Sequence, residues 1–168
     1  MMEMMKKTEA IKVCTIFGQP DVKITQTLYN ATAVYLANAV ILNNCRIFYF
    51  ASNGDFEAVC RYILTAIKED HPEIQLFQVF CTLAEEEGVT SFPDFNREDY
   101  DRVVALPLGS FETELYDRLY TIINNSAMVI SYLEKRNKSD FYRAYKYAKK
   151  QKDKHVVNLY DTVKFFTS

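Results

Sequence analysis

Short runs of β-branched and aromatic residues alternate along this chain with longer stretches of helical periodicity, and that alternation restricts the fold more than any other feature. Ile11-Lys12-Val13-Cys14-Thr15-Ile16-Phe17 reads as a strand that ends at Gly18, and a helical stretch follows over about residues 23–42. Ile47-Phe48-Tyr49-Phe50-Ala51 opens a second unit, in which the turn Ser52-Asn53-Gly54-Asp55 leads into a helix with Phe56, Val59, Ile63 and Ile67 on one face. His71-Pro72 stops that helix, and Ile74-Gln75-Leu76-Phe77-Gln78-Val79-Phe80 forms a third strand.

Residues 82–109 read as a long functional loop, acidic and turn-forming at Glu85-Glu86-Glu87-Gly88 and Phe92-Pro93-Asp94, within which Val103 to Leu106 fit one short extra strand. The pattern resumes with a helix over 112–124, a strand from Met128 to Leu133, a helix over 141–150 and a last strand, Val156-Val157-Asn158-Leu159. Strands alternating with helices predict an α/β protein. Because such crossovers are right-handed and cover both faces of the sheet, the expected architecture is a three-layer α/β/α sandwich on a mostly parallel sheet of five or six strands.

At 168 residues, 49% hydrophobic and 25% charged, the chain fits one domain over residues 10–168 behind a flexible leader, residues 1–9. A core of this size needs no disulfide or metal staple. The net charge of -2 offers no basic field for DNA or RNA, which argues against nucleic acid as a partner. Apolar runs fall short of the ~20 residues of a membrane span, and the start lacks a secretory h-region, so a cytoplasmic protein is expected. Cys14, Cys45, Cys60 and Cys81 form no C-x-x-C pair and His71 and His155 are far apart, so no metal site is expected; the cysteines read as small buried hydrophobes.

Two of the four glycines, Gly18 and Gly54, fall directly after the first and second strands, at the mouths of the helices that follow. In open parallel sheets, ligands bind at the carboxyl ends of strands, beside helix N-termini whose free N–H groups and dipole favour anions. Tight βα turns alone also use glycine. Ser52, Asn53 and Asp55 suit helix capping, which is compatible with binding, and Asp55 and Glu57 suit a ribose hydroxyl or acid/base chemistry. No G-x-G-x-x-G, G-x-x-x-x-G-K-[ST] or G-x-S-x-G is present, which sets aside dinucleotide dehydrogenases, P-loop NTPases and α/β-hydrolases. Lys146, Lys149, Lys150, Lys152 and Lys154 read as a solvated basic face.

Four segments in order resemble the SLOG (Smf/DprA and LOG-like) superfamily, and in particular its small bacterial and phage members. Thr15-Ile16-Phe17-Gly18-Gln19-Pro20-Asp21-Val22 is similar to the opening T-x-x-G-H-R-x, and Phe48 to Glu57 to F-Y-V-G-x-N-G-x-F-D. Arg118-Leu119 before Ser126-Ala127-Met128-Val129-Ile130 is similar to R-N before S-D-x-V-I, and Tyr147 to Leu159 to the closing Y-A-K-x-x-G-K-x-I-N-L. The sequence departs from the family at Gln19-Pro20, where His-Arg is usual, at Leu119, where Asn is usual, and over 134–140, where a glycine turn is replaced.

The resemblance implies a Rossmann-like fold that binds a nucleotide or nucleotide-derived molecule as a sensor, carrier or sequestering module, without a tightly held cofactor. It implies Gly18, Gln19, Ser52, Asn53, Gly54 and Arg118 as ligand contacts, and Tyr49, Phe56 and Tyr120 as rings that stack a base. Two alternatives stand beside this reading. One is an N-glycosidic hydrolase in which Glu57 or Asp55 stabilises the ribosyl centre; the other is an interaction protein that kept the fold and lost the ligand. The family also implies a homodimer or higher homo-oligomer.

Overall fold

The expected alternation is realised in a computed structural model that describes residues 10–83, 90–91, 97–108, 114–134 and 139–167. The leader at 1–9, the acidic stretch at 84–89 and the segments 92–96, 109–113 and 135–138 lie outside the described residues. In chain order the elements are β1 (Lys12–Gly18), α1 (Gln26–Ile41), β2 (Cys45–Phe50), α2 (Asp55–Asp70), β3 (Gln75–Leu83) and β4 (Thr90–Ser91). A single 3-10 turn (Arg97–Asp99) precedes β5 (Arg102–Leu108), α3 (Glu114–Asn124), β6 (Met128–Tyr132), α4 (Asp140–Lys149), β7 (His155–Asn158) and α5 (Leu159–Thr167).

Six strands run parallel in the order β5-β3-β2-β1-β6-β7, and β4 adds two antiparallel residues to β3 at Cys81↔Ser91 and Thr82↔Thr90. β3 is nine residues long; its start pairs with β2 only as far as Phe50↔Gln78, and its later part outruns β2. Helices α1, α2 and α5 pack together on one face and α3 and α4 on the other, giving the three-layer Rossmann-like sandwich. Side-chain alternation on the strands divides the core accordingly. Cys14, Ile16, Phe48, Phe50 and Ile130 join Leu28, Leu36, Phe56 and Leu64 on the first face, while Phe17, Val79 and Val129 join Leu119, Ile123 and Ala144 on the second.

Two expectations need correction. The 82–109 stretch is not one loop, because β5 runs seven residues beside β3 from Phe77↔Arg102 to Leu83↔Leu108. A further helix, α5, begins directly where β7 ends and takes up Leu159, which the pattern places in the last strand. Helix α1 starts at Gln26 instead of near 23 because Thr25 caps it, its Oγ1 accepting the Leu28 N–H at 3.1 Å. Cys14, Cys45 and Cys60 are buried as expected; burial pushes the Cys14 and Cys60 thiols up and that of Cys45 up to about 11, so none is a ready thiolate.

Candidate functional site

The strand order reverses between β1 and β6. The connection after β1 leads to α1 on one face and the connection after β6 leads to α4 on the other, so the chain parts at the carboxyl ends of these strands, where open α/β sheets bind ligands. Gln19 straddles that point. Its backbone N–H donates to Tyr132 O at 3.1 Å, its Oε1 accepts the Glu134 N–H at 2.9 Å, and its Nε2 donates to Asp21 O at 3.0 Å. The Gln19 side chain therefore zips β1 to β6 and is itself buried.

One strand over, the β2–α2 turn comes against the same place. A Cβ on Gly54 would lie 3.3 Å from Glu57 Oε1, 3.6 Å from Pro20 O and 3.7 Å from Gln19 O, so the two turns touch through the missing side chain. Gly18 serves a different need. A Cβ there would meet Phe56 Cβ and Cδ2 at 2.9 Å, so glycine lets the first turn of α2 settle on the end of β1.

Glu57 lies beneath the turn with 0% of its surface exposed. Its Oε2 accepts from the Ser52 hydroxyl, while Oε1 is buried with no hydrogen-bond partner. Burial raises the carboxyl above its ordinary value, against the opposing pull of Ser52 and of backbone N–H groups at Glu57, Gly54 and Gly18. Asp55, by contrast, stands exposed at the first position of α2, where the helix dipole favours its charge.

Asn53 faces elsewhere. Its Nδ2 donates to Gln78 Oε1 at 2.8 Å, and its Oδ1 accepts from Arg61 Nη1 at 3.0 Å and from the Tyr100 hydroxyl. Arg61 Nη1 also donates to Tyr100 at 2.8 Å, and Gln78 Nε2 donates to the carbonyls of Phe50 and Val79. Each group in this chain points its donor at the next, an arrangement in which hydrogen bonds reinforce one another. Burial raises the Tyr100 hydroxyl well above its ordinary range, keeping it a donor.

The structure thus gathers Gly18, Gln19, Ser52, Gly54 and Glu57 at one end of the sheet, leaves Asp55 beside them in solvent, and turns the Asn53 side chain inward. Arg118 is buried on α3, 4% exposed, next to the core residue Leu119. Of the rings expected to stack a base, Phe56 is fully buried, Tyr49 packs on Phe77 at 5.8 Å, and Tyr120 packs on Tyr147 at 4.0 Å between α3 and α4. The rings at the switch point are instead Tyr132 and Tyr160, perpendicular at 5.7 Å, with Tyr132 also 6.0 Å from Phe56. The sequence signal for the buried network is Gln78, a polar residue set in the apolar run Leu76-Phe77 and Val79-Phe80 of a strand fit for covering on both faces.

A groove of about 570 Å³ runs along α2 and the 97–99 turn, lined by residues including Arg61, Tyr62, Glu69 and Asp99, and none of residues 18, 19, 52 and 54 lines it. Among the described residues no three His, Cys, Asp or Glu side chains gather to hold a metal ion, and no helix is long and apolar enough to cross a membrane.

Fold and site together define a Rossmann-like α/β domain whose β1–α1 and β2–α2 turns meet at its switch point. No protein-family model matches the chain, and no curated protein matches it in sequence. Among solved structures it is similar to the molybdenum cofactor binding protein of the phototrophic bacterium Rippkaea orientalis, with a TM-score of 0.50 and 13% identity over 94% of this chain and 84% of that one. It is also similar to the Moco carrier protein of Chlamydomonas reinhardtii, at 12% identity over 94% and 96% of the two chains and a TM-score of 0.36.

Proposed function

We propose that this protein binds a nucleotide or nucleotide-derived small molecule at the carboxyl edge of its sheet, as a sensor, carrier or sequestering module. The observation that carries the reading is the convergence of the Gly18-Gln19-Pro20 and Ser52-Gly54 turns beside the β1/β6 switch point, over the buried carboxyl of Glu57. The bacterial structure that shares the fold is a cofactor binding protein, which agrees with a small-molecule ligand. In this reading the backbone of the two turns and the Ser52 hydroxyl meet the ligand, Asp55 takes a ribose hydroxyl, Tyr132 and Tyr160 flank the base, and Glu57 holds Ser52 in place.

Thermal unfolding in the presence of nucleotides, cyclic nucleotides, NAD, ADP-ribose and molybdenum cofactor tests the proposal. Ligand at about 100 times its Kd adds roughly 2.7 kcal/mol, and each kcal/mol moves the midpoint by roughly 2–4 °C in a domain of this size. The expected result is a clear upward shift with one ligand class, reduced in Asp55→Asn and Gln19→Ala. A flat panel overturns it.

One observation favours a second reading, hydrolysis of an N-glycosidic bond: the Glu57 carboxyl lies buried directly beneath the two turns with Oε1 unpartnered, and burial raises it above its ordinary value, the direction a general acid needs. Product analysis on the ligand found above separates the two, since turnover that Glu57→Gln abolishes while binding persists belongs to the enzyme alone.

A further inference from the structure

Helix α1 is unlike the other helices among the described residues. Its sixteen residues, Gln26–Ile41, include no Asp, Glu, Lys or Arg, whereas each of the other four carries both acidic and basic residues. A helix that is apolar all round belongs in an interior, and α1 approaches that state, with no charge and only Gln26, Thr27, Asn30, Thr32 and Asn38 as polar residues beside its two tyrosines. Yet α1 buries only the stripe of Leu28, Thr32, Leu36, Ala39 and Val40 against the sheet and its neighbours.

The opposite side is open. Val34 is 58% exposed and Ile41 64%, and the residue after the helix, Leu42, is 73% exposed. Asn30, Val34, Ala37 and Ile41 follow one another at spacings of four, three and four residues, which places them in a single straight seam of the kind that packs against a second helix. Ile11 belongs to the same patch, because Asn44 holds the adjoining chain beside the end of α1: its Nδ2 donates to Ala10 O at 3.3 Å and its carbonyl accepts the Lys12 N–H at 3.2 Å. Of the seven large apolar side chains exposed among the described residues, five, namely Ile11, Ile24, Val34, Ile41 and Leu42, lie on α1 or at its two ends. Exposed apolar residues scattered singly need no explanation, but a concentration on one uncharged face marks an interaction surface.

We infer that the α1 face is the contact between two copies of this chain, related by a two-fold axis passing close to Ala37. A two-fold contact must be complementary to itself, so any charge near the axis would meet its own copy. This face is neutral throughout, and its polar group beside the axis, Asn38, is an amide that both donates and accepts and can therefore face its own copy. With the axis near Ala37, the small side chain lets two antiparallel helices approach, and Val34 of each copy faces Ile41 of the other. A lipid surface fits less well, since helices that lie on membranes carry Lys or Arg on the polar side. Helix α1 alone, about 24 Å long and about 10 Å across, supplies less than the roughly 800 Å² per partner of a standard interface. Ile11, Leu42 and Ile24 extend the patch beyond the helix.

Light scattering coupled to size-exclusion chromatography on the full chain tests this. The expected wild-type mass is twice the 19.6 kDa of the chain, with Val34→Glu and Ile41→Lys each monomeric at unchanged circular dichroism. An equimolar mixture of the two variants restores the dimer, because one Glu then faces one Lys across the axis. A wild-type protein that is monomeric at every concentration, or a dimer that survives both substitutions, overturns the assignment. Monomeric variants whose mixture fails to associate overturn the placement of the axis at Ala37.

Discussion

Ser52 and Glu57 share one contact across the β2–α2 turn: the hydroxyl donates to Oε2, while Oε1 of the same carboxyl is buried without a partner. A carboxyl in that position is easier to bury protonated than charged. Its pKa in the folded chain therefore lies above the 4.5 of the unfolded one. The folded state holds the extra proton between those two values, so the stabilisation is fully present below 4.5 and is lost as pH rises through the folded pKa. Glu57→Gln, which carries no charge at any pH, is expected to be more stable than wild type at neutral pH, the gap closing as pH falls toward 4.5. Midpoints of thermal unfolding for both proteins across that range check it; parallel curves would show that Glu57 titrates alike in both states.

Gly18 is set by packing, with no room for a methyl group against Phe56 Cβ at 2.9 Å. Overpacking of this kind costs about 1–3 kcal/mol, so Gly18→Ala should lower the unfolding midpoint by several degrees. Gly54→Ala is the control: its new methyl group meets Glu57 Oε1 at 3.3 Å and two carbonyl oxygens beyond 3.5 Å, and the loss is expected to be smaller. Urea unfolding of the two variants should rank them in that order.

The Asn53 amide joins Gln78, Arg61 and Tyr100, which are drawn from three other parts of the chain. Asn53→Ala leaves the buried Gln78 and Tyr100 groups short of partners, at about 1–3 kcal/mol for each group left unpaired. The loss is expected without any ligand present. A double-mutant cycle with Tyr100→Phe should return a coupling of about 0.5–3 kcal/mol. Strict additivity would mean that the two side chains act independently.

Thr25 supplies the only side-chain cap seen at the start of α1. Thr25→Ala is expected to cost about 0.5–2 kcal/mol, while Thr25→Ser, which keeps the hydroxyl, should stay close to wild type. Chemical denaturation of the pair measures the difference.

Strands β1, β2, β3 and β6 were legible because each is a β-branched or aromatic run covered on both faces. β5 was read short for a local reason: Pro107, opposite Thr82, cannot donate to a ladder and reads as a break. Among the described strands β5 pairs with β3 alone, and an edge position is where proline is tolerated. Helix α5 was missed because no Gly or Pro separates it from β7. Asn158 makes the junction instead, its Oδ1 accepting the N–H groups of Leu133 and Tyr160 and its Nδ2 donating to Leu133 O.

At the site, the sequence marked the turns but not the directions of their side chains. Asn53 sits in a glycine-containing turn that reads as ligand-facing. Its commitment to Gln78, twenty-five residues on, and to Tyr100, forty-seven residues on, is tertiary and carries no local signature. Gln19 likewise reads as a lost cation, and only the fold reveals the bond from Glu134 N–H to its side chain, 115 residues apart in sequence.

β3 runs past the end of β2, and a strand that outlasts its neighbour presents bare backbone to any other extended chain. The two residues of β4 cover that tip at Cys81 and Thr82, in the opposite direction from every other strand. A strand from another molecule adding to the sheet in parallel would first have to displace them. So small an element adds little to the packing of the domain, but it occupies the backbone groups through which a foreign strand would otherwise enter the sheet.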